Sequence, residues 1–409
     1  MKCRHCAAEV RLPFLDLGSA PPSNAYLDAA ALNAPETWFP LRVLVCEACW
    51  LVQTEDHAGR EALFTEDYAY FSSFSSSWLA HAQAYVVAMR ERFGLGPASC
   101  VAEVAANDGY LLQYVQQAGI PCYGIEPTAS TAAAARAKGL EIDERFFGVA
   151  LARELATAGR QADLTAANNV LAHVPDINDF VAGFALLLKP QGVATFEFPH
   201  LLRMVQECQF DTAYHEHYSY LSLTAVQRIF AANGLAVFDV EQLPTHGGSL
   251  RVFAQRADTG QQPPSAAVTR LLDEEAGAGL LGPDFYTRFG REPARIAGEL
   301  QAFLSAQYAA GQRVAAYGAA AKGNTLFNFA GVRPHQVAYV VDRNPAKQGK
   351  WLPGSRIPIV DEAHLRADRP DVVLILPWNL RDEVVQQLAY VRDWGGRFAI
   401  AVPRLELLA

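Results

Sequence analysis

Residues 100–130 run "CVAEVAANDGYLLQYVQQAGIPCYGIEPTAS", and the reading of this stretch decides the fold. A short apolar run meets an Asn-Asp-Gly turn. A segment with helical spacing follows, then a second apolar run that stops at an acid, Glu126. The pattern is strand, turn, helix, strand. Further strand-like runs, "ADLTAANNVL" (162–171) and "GVATFEFP" (192–199), flank the helically spaced "INDFVAGFALLLKP" (177–190). Strands alternating with helices predict a parallel sheet with crossover helices. The block extends to "GGSLRVFAQR" (247–256).

Outward from this block the chain divides into three. Downstream, "ADTGQQPPS" (257–265) has linker composition, and an amphipathic stretch over about 283–310 leads to a second α/β pattern. There "RVAAYGAAAKGNTLFNFAG" (313–331) is again strand, glycine-containing turn and helix. "VAYVVDRNP" (337–345) is a strand ending in an acid, and "PDVVLILPWN" (370–379) is a third strand. Upstream, the aromatic-rich stretch 63–93 is expected to be helical, and before it lies a cysteine-containing module. The fold class expected is α/β: an N-terminal four-cysteine zinc module (1–60) followed by two Rossmann-like parallel-sheet α/β domains (61–256 and 257–409).

The 409 residues are 51% hydrophobic and 19% charged, the composition of a globular protein of two or three domains. A net charge of −9 without a long Lys/Arg run argues against nucleic acid as the main partner. The start, "MKCRHCAAEV", has no apolar signal core, and no later run of about 18 apolar residues predicts a membrane span. A cytoplasmic location is expected, where thiols stay reduced. Four of the seven cysteines form two Cys-x-x-Cys knuckles, Cys3/Cys6 and Cys46/Cys49. Four thiolates suit a closed tetrahedral Zn²⁺ site that holds together a module with little core of its own. Cys100, Cys122 and Cys208 lack partners at ligand spacing and read as buried apolar residues.

In open parallel sheets, ligands bind beyond the carboxyl ends of the strands. Glu103, Asn107, Asp108 and Gly109 occupy that place, with Gly109 allowing close backbone approach and Asn107 and Asp108 giving polar contacts. Glu126, followed by Pro127, ends the second strand, where a carboxylate can accept both hydrogen bonds of a ribose diol. Neither G-x-G-x-x-G nor a Walker lysine is present. Carboxylates around the first turn disfavour a pyrophosphate and favour a cationic, phosphate-free ligand, S-adenosylmethionine. Asn169 and His173 in "NNVLAHVPD" would line the same crevice.

Residues 210–222, "FDTAYHEHYSYLS", bring two histidines, a glutamate and three tyrosines together. A neutral imidazole suits proton abstraction at neutral pH. A tyrosine hydroxyl or second imidazole suits stabilisation of an enolate. Two plainer uses compete: a metal site through His215 and His217, which lacks a third ligand, and a packed polar knot. In an extended segment His215 and His217 share a face, so spacing leaves open which of them is the base.

"EVAANDGYLLQ", "GIEPT", "NNVLAHVPD", "EFPHLL…FDTAYHEHYSYLS", "LPTHGGSLRVF" and "YGAAAKGNTLFN…VDRNPAKQGKWLPG" follow one another in the order seen in the deoxysugar C-methyltransferases of antibiotic biosynthesis. Together with the four-cysteine module, the whole chain resembles that family. One departure is Ala105, where the family usually carries glycine. The resemblance implies S-adenosylmethionine-dependent methylation of a nucleotide-linked, dTDP-type 4-keto-6-deoxysugar at carbon 3, with carbon 5 in some relatives. It implies His217 as the base, Tyr214 and Glu216 as orienting groups, and His173 with Tyr68 or Tyr70 facing the ketone oxygen.

In the last block, Gly318, Lys322, Gly323 and Asn324 surround a helix start whose N–H groups and cation suit a pyrophosphate. Asp342, Lys347 and Asn379 follow later strands and are expected to read ribose and base. "THGGSLR" is expected to form a loop of close approach between the sites, with His246, Ser249 and Arg251 as substrate contacts. A nicotinamide oxidoreductase using the last block and a non-catalytic scaffold are the competing functions. Since both sites lie in one chain, a monomer is expected.

Overall fold

The computed structural model describes residues 1–57 and 71–408. Tyr68 and Tyr70 therefore lie outside the described residues. Seventeen strands are described: β1 (Leu12–Ala20), β2 (Phe39–Val45), β3 (Val52–Thr54), β4 (Val101–Val104), β5 (Cys122–Ile125), β6 (Ile142–Asp143), β7 (Ala162–Asn168), β8 (Leu188–Pro199), β9 (Ser219–Tyr220), β10 (Leu235–Leu243), β11 (Ser249–Arg256), β12 (Val314–Tyr317), β13 (Val340–Val341), β14 (Ile359–Val360), β15 (Val372–Ile375), β16 (Arg397–Ile400) and β17 (Glu406–Leu408). Of the helix expected over 63–93, residues 63–70 lie outside the described residues; Ser72–Phe74 form a 3-10 turn and Ser76–Phe93 a regular α-helix. The Ser75 side chain caps its first turn and Gly94, at φ 62°, ends it in the left-handed conformation that glycine adopts without strain.

The central sheet has the order β10-β11-β8-β7-β4-β5-β6. β6, β5, β4, β7 and β8 are parallel, as the alternation of strands and helices requires. β11 is the exception: it forms a hairpin with β10 and inserts antiparallel to β8. The strand order reverses between β4 and β7, which opens a crevice beyond their carboxyl ends. The last sheet, β14-β13-β12-β15-β16-β17, is parallel apart from β17 and reverses between β12 and β15.

The N-terminal strands form an antiparallel sheet of order β1-β2-β3-β9. Its last member comes from the cluster segment, with Val52 opposite Tyr220 and Gln53 opposite Ser219. The module is also buried on both sides. Cys3, Cys46, Cys49 and Leu51 belong to the core of the central sheet, with Leu221 and Val226. Phe14, Leu17, Leu41 and Val43 belong to the core of the last sheet, with Leu300, Val314 and Leu374. After residues 257–265, the helix Ala266–Gly277 returns to the central sheet, burying Val268 and Leu271 in its core. From this helix Glu275, fully buried, accepts hydrogen bonds from His200 Nε2, the backbone N–H groups of Leu223 and Thr224, and the Thr224 hydroxyl. That carboxylate caps the start of helix Leu223–Ala232, which follows the cluster directly.

Candidate active site and zinc site

The four knuckle thiols converge, with all Sγ atoms within 4.8 Å of one another. Cys3 and Cys49 lie 3.6 Å apart, Cys6 and Cys46 3.5 Å. A tetrahedron with Zn–S bonds of about 2.3 Å has S···S edges of roughly 3.8 Å, so the donor set fits Zn²⁺ closely. Both knuckles close alike: Ala7 N–H donates to Cys3 O and Trp50 N–H to Cys46 O, and Ala7 and Trp50 both have positive φ. The Gln53 side chain amide donates to Cys3 Sγ and its oxygen accepts from Arg4 N–H, tying the thiol cage to β3.

At the central crevice, Glu126 is buried, its two oxygens taking the N–H groups of Asn107 and Thr128. Asn107 and Asp108 accept from Ser72 and Ser73 N–H, which folds residues 72–74 over the turn. Gly109 has φ 76°, but a Cβ there would collide with Leu140 and Ala135. The glycine at this position is required for the close packing of the Leu140 and Ala135 side chains against the turn. Ala105 sits at φ 61°, a conformation suited to the glycine it replaces. Glu103 is fully buried against the Tyr110 side chain and the Leu112 backbone, and among the described residues Asp108 Oδ1, Asn168 Oδ1 and Asn169 Oδ1 are buried without a hydrogen-bond partner. Burial pushes the Glu103 carboxyl well above the usual range. Buried acceptors without donors, Asp108 Oδ1 and Asn169 Oδ1, fit a ligand bearing an ammonium and a sulfonium. With Glu103 in β4, Asn107 in the turn that follows and Glu126 at the end of β5, where a ribose diol would lie, they are the residues that would hold S-adenosylmethionine, and Pro127 follows Glu126 in the loop.

The cluster segment is not extended. His217 N–H donates to Tyr214 O, closing a turn that sends the two histidines apart. His215 Nε2 faces Pro40 O and its ring meets Phe39 edge-on, which separates it from any metal pair with His217. His217 donates Nδ1–H to Thr212 O, which fixes its tautomer, and its Nε2 accepts from the Tyr214 hydroxyl at 2.6 Å. The His173 ring lies 4.6 Å from the His217 ring, centroid to centroid, and donates Nδ1–H to Glu216 O. The Glu216 carboxylate does not bond His217; it turns to Asn24 of the N-terminal module. The zinc module touches the His217 backbone through Thr54, whose hydroxyl donates to His217 O at 2.7 Å. Burial, then the charges of His173 and Lys322, hold His217 well below the usual imidazole range. Burial also lowers His173 and His246 to about 4.

His246 accepts from Asn169 Nδ2 and packs on Trp78, at the mouth of the central crevice. Ser249 and Arg251, expected as substrate contacts, are otherwise engaged. The Ser249 hydroxyl donates to Thr245 O, and buried Arg251 donates to Glu197 and Glu241. Glu197, fully buried in β8, also binds His81 Nε2 and the Thr245 hydroxyl. Burial opposes its charge, but His81 and Arg251 keep its carboxyl below the usual range. Neither Trp78 nor Glu197 was anticipated, although a lone acid inside "GVATFEFP" is itself a signal, because a carboxylate in a central strand needs partners.

The last sheet is arranged differently from expectation. Asp342 accepts from Ala319 N–H and Asn344 N–H, while Lys347 Nζ and the Tyr26 hydroxyl both donate to Ala319 O. Asn324, fully buried, donates to Ser23 O. A Cβ at Gly318 or Gly323 would meet Pro377 or Leu376. The turn expected to cradle a pyrophosphate is thus braced by the chain's own residues 23–26, and its glycines serve packing. Lys322 and Asn379 differ from the rest. Lys322 Nζ donates to Asn379 Oδ1 and lies 4.3 Å over the Trp378 ring. Trp378 Nε1–H donates to buried Asp211 Oδ2, and the indole presses on Gly247, where a Cβ would lie 2.5 Å from it. The close approach expected of the "THGGSLR" loop is therefore to Trp378.

A crevice at the reversal of a seven-stranded sheet, beside a cage of four thiols and a histidine–tyrosine cluster, defines a zinc-braced methyltransferase. The comparisons agree. Three family models match: a putative zinc binding domain over residues 3–64, a methyltransferase domain over 78–240, and a C-methyltransferase C-terminal domain over 244–403. C-methyltransferase NovU of Streptomyces niveus is 33% identical over 408 residues, spanning 100% of this chain and 97% of its own. The chain belongs to this C-methyltransferase family, of the deoxysugar type, and is an S-adenosylmethionine-dependent enzyme with a four-cysteine site for structural zinc. Among solved structures, magnesium protoporphyrin IX methyltransferase from Synechocystis PCC 6803 is 18% identical, with 44% of this chain and 77% of that chain covered and a TM-score of 0.33. The 1,6-didemethyltoxoflavin-N1-methyltransferase of Burkholderia thailandensis is 15% identical, with 51% and 96% covered and a TM-score of 0.38. No described helix is long and apolar enough to cross a membrane.

Proposed function

We propose that the enzyme methylates a carbon flanking the C4 ketone of a nucleotide-linked 4-keto-6-deoxysugar. The observation that carries this reading is the His217–Tyr214–His173 cluster, a neutral imidazole of fixed tautomer beside two further polar groups. A C–H bond becomes acidic enough for such a base only next to a carbonyl. Thr212 O holds the proton on Nδ1, so Nε2 carries the lone pair. The ketosugar displaces the Tyr214 hydroxyl from Nε2, and that hydroxyl turns to the substrate. Nε2 takes the proton, the C–H electrons form the enolate, and the enolate carbon becomes the nucleophile. S-adenosylmethionine, when bound, supplies an electrophilic methyl group on sulfur. His217 itself is buried, which limits the water that can reach a carbanion beside it. Carbons 3 and 5 both flank the ketone and answer equally to this base.

The zinc-loaded full chain, given methyl-labelled S-adenosylmethionine and a panel of nucleotide 4-ketosugars, tests the reading. Label on carbon 3 or carbon 5, located by NMR, supports it and assigns the position. Label on oxygen or nitrogen, or no transfer to any member, contradicts it.

A further inference from the structure

Resting on the ketosugar reading, we propose that the Lys322 ammonium is the group that meets the ketone oxygen, so that the last domain supplies the charge stabilising the enolate. Lys322 stands where the strand order of the last sheet reverses, beyond β12, with Trp378 and Asn379 beyond β15. Asn379 Oδ1 is its one hydrogen-bond acceptor among the described residues, leaving two N–H bonds of the ammonium for a ligand. Trp378 fixes where they point. The indole is clamped between Asp211, three residues before Tyr214, and Gly247, the neighbour of His246. That clamp carries the ammonium to the loops of the acid–base cluster, and its charge depresses both His217 and His246.

A diphosphate grip is the other use for a lysine at a helix start, and the surroundings disfavour it. Ala319 N–H already serves Asp342, residues 23–26 cover the turn, and a buried carboxylate, Asp211, lies within electrostatic reach. Such a site suits a single developing negative charge better than a dianion. Chemistry points the same way: burial weakens His217 as a base, and a weak base needs a strongly stabilised enolate. On proton loss to His217 the C–H pair becomes the C=C bond and the carbonyl π pair moves to oxygen. When the carbon takes the methyl group, that pair returns to C=O. Lys322 stays protonated and forms no bond to carbon.

The test measures deuterium uptake from D₂O into dTDP-4-keto-6-deoxyglucose beside the ketone, at saturating sugar, with sugar affinity measured by calorimetry. Lys322→Met is expected to slow uptake by about 10²–10³-fold, the usual cost of losing one oxyanion donor, with the sugar Kd within about threefold of wild type. Lys322→Arg is expected to restore part of the rate. Uptake as fast as wild type in Lys322→Met, with a Kd weakened tenfold or more, overturns the proposal in favour of a phosphate contact. A reduced lysine–sugar adduct after borohydride treatment overturns it in favour of an imine. Should Lys322→Met lose S-adenosylmethionine binding or its folded melting transition, Lys322→Arg decides alone: a rate below 1% of wild type in a folded Arg variant counts against the proposal. No uptake in the wild-type protein contradicts the ketosugar reading itself, a result distinct from a Lys322-independent rate.

Discussion

Thr54→Val probes whether the zinc module acts on the chemistry by bracing the His217 backbone. Thr54 is 1% exposed, and its hydroxyl donates to His217 O while its N–H pairs with Tyr218 O. Valine keeps the shape and the backbone pairing and removes only the hydroxyl. The buried His217 carbonyl then loses its side-chain donor, at a cost of about 1–3 kcal/mol. Unfolding entropy of roughly 2 cal/mol/K per residue over a chain of this length converts that loss to a Tm drop of about 1–4 °C if the domains melt together. The larger effect falls on rate, because a base displaced by a fraction of an ångström loses roughly ten- to a hundredfold. Scanning calorimetry gives the first quantity and deuterium uptake beside the ketone the second, with zinc content and S-adenosylmethionine affinity expected to stay at wild-type values. If Thr54→Val melts at the wild-type temperature and exchanges at the wild-type rate, the brace has no mechanistic weight.

Ala105→Gly is expected to stabilise the protein by about 0.5–1 kcal/mol in a chemical denaturation series, because Ala105 holds a φ of 61° that costs an alanine more than the extra chain entropy of glycine. Stability is expected to fall on acidification below about pH 6.5: His173, His217 and His246 are held neutral in the fold, while the unfolded imidazoles take up protons. The loss continues towards pH 4, with each imidazole adding up to about 1.4 kcal/mol per pH unit, and urea titrations at several pH values measure the slope. Cys49→Ser is expected to abolish stoichiometric zinc, read by elemental analysis, and to slow deuterium uptake, since the cage, Gln53 and β3 together position β9.

Much of the fold was legible because it rests on local periodicity. The run 101–104, the turn at 107–109 and the acid at 126 announce a parallel unit whatever surrounds them, and the two knuckles announce a cage. What escaped depends on long-range pairing. β9 contributes two residues to the zinc sheet, too short a strand to carry a pattern. The turn from Tyr214 to His217 overrides the alternation that would place His215 and His217 on one face. Gly318, Asp342 and Lys347 look the same in sequence whether a nucleotide or Tyr26 fills the space beside them. The candidate base, the cage and the acceptors around the crevice were visible as residue types. The path by which Trp378 brings Lys322 to the cluster was visible only once the sheets had been assembled.

In the proposed reaction the His217 imidazole removes a proton from carbon beside a ketone. Deuterium uptake in the absence of methyl donor, comparing wild type with His217→Gln at saturating sugar, addresses it most directly. Exchange in the wild type and a loss of about a thousandfold or more in the variant, with zinc and S-adenosylmethionine binding intact, is the expected result. Equal exchange in the two proteins would contradict it.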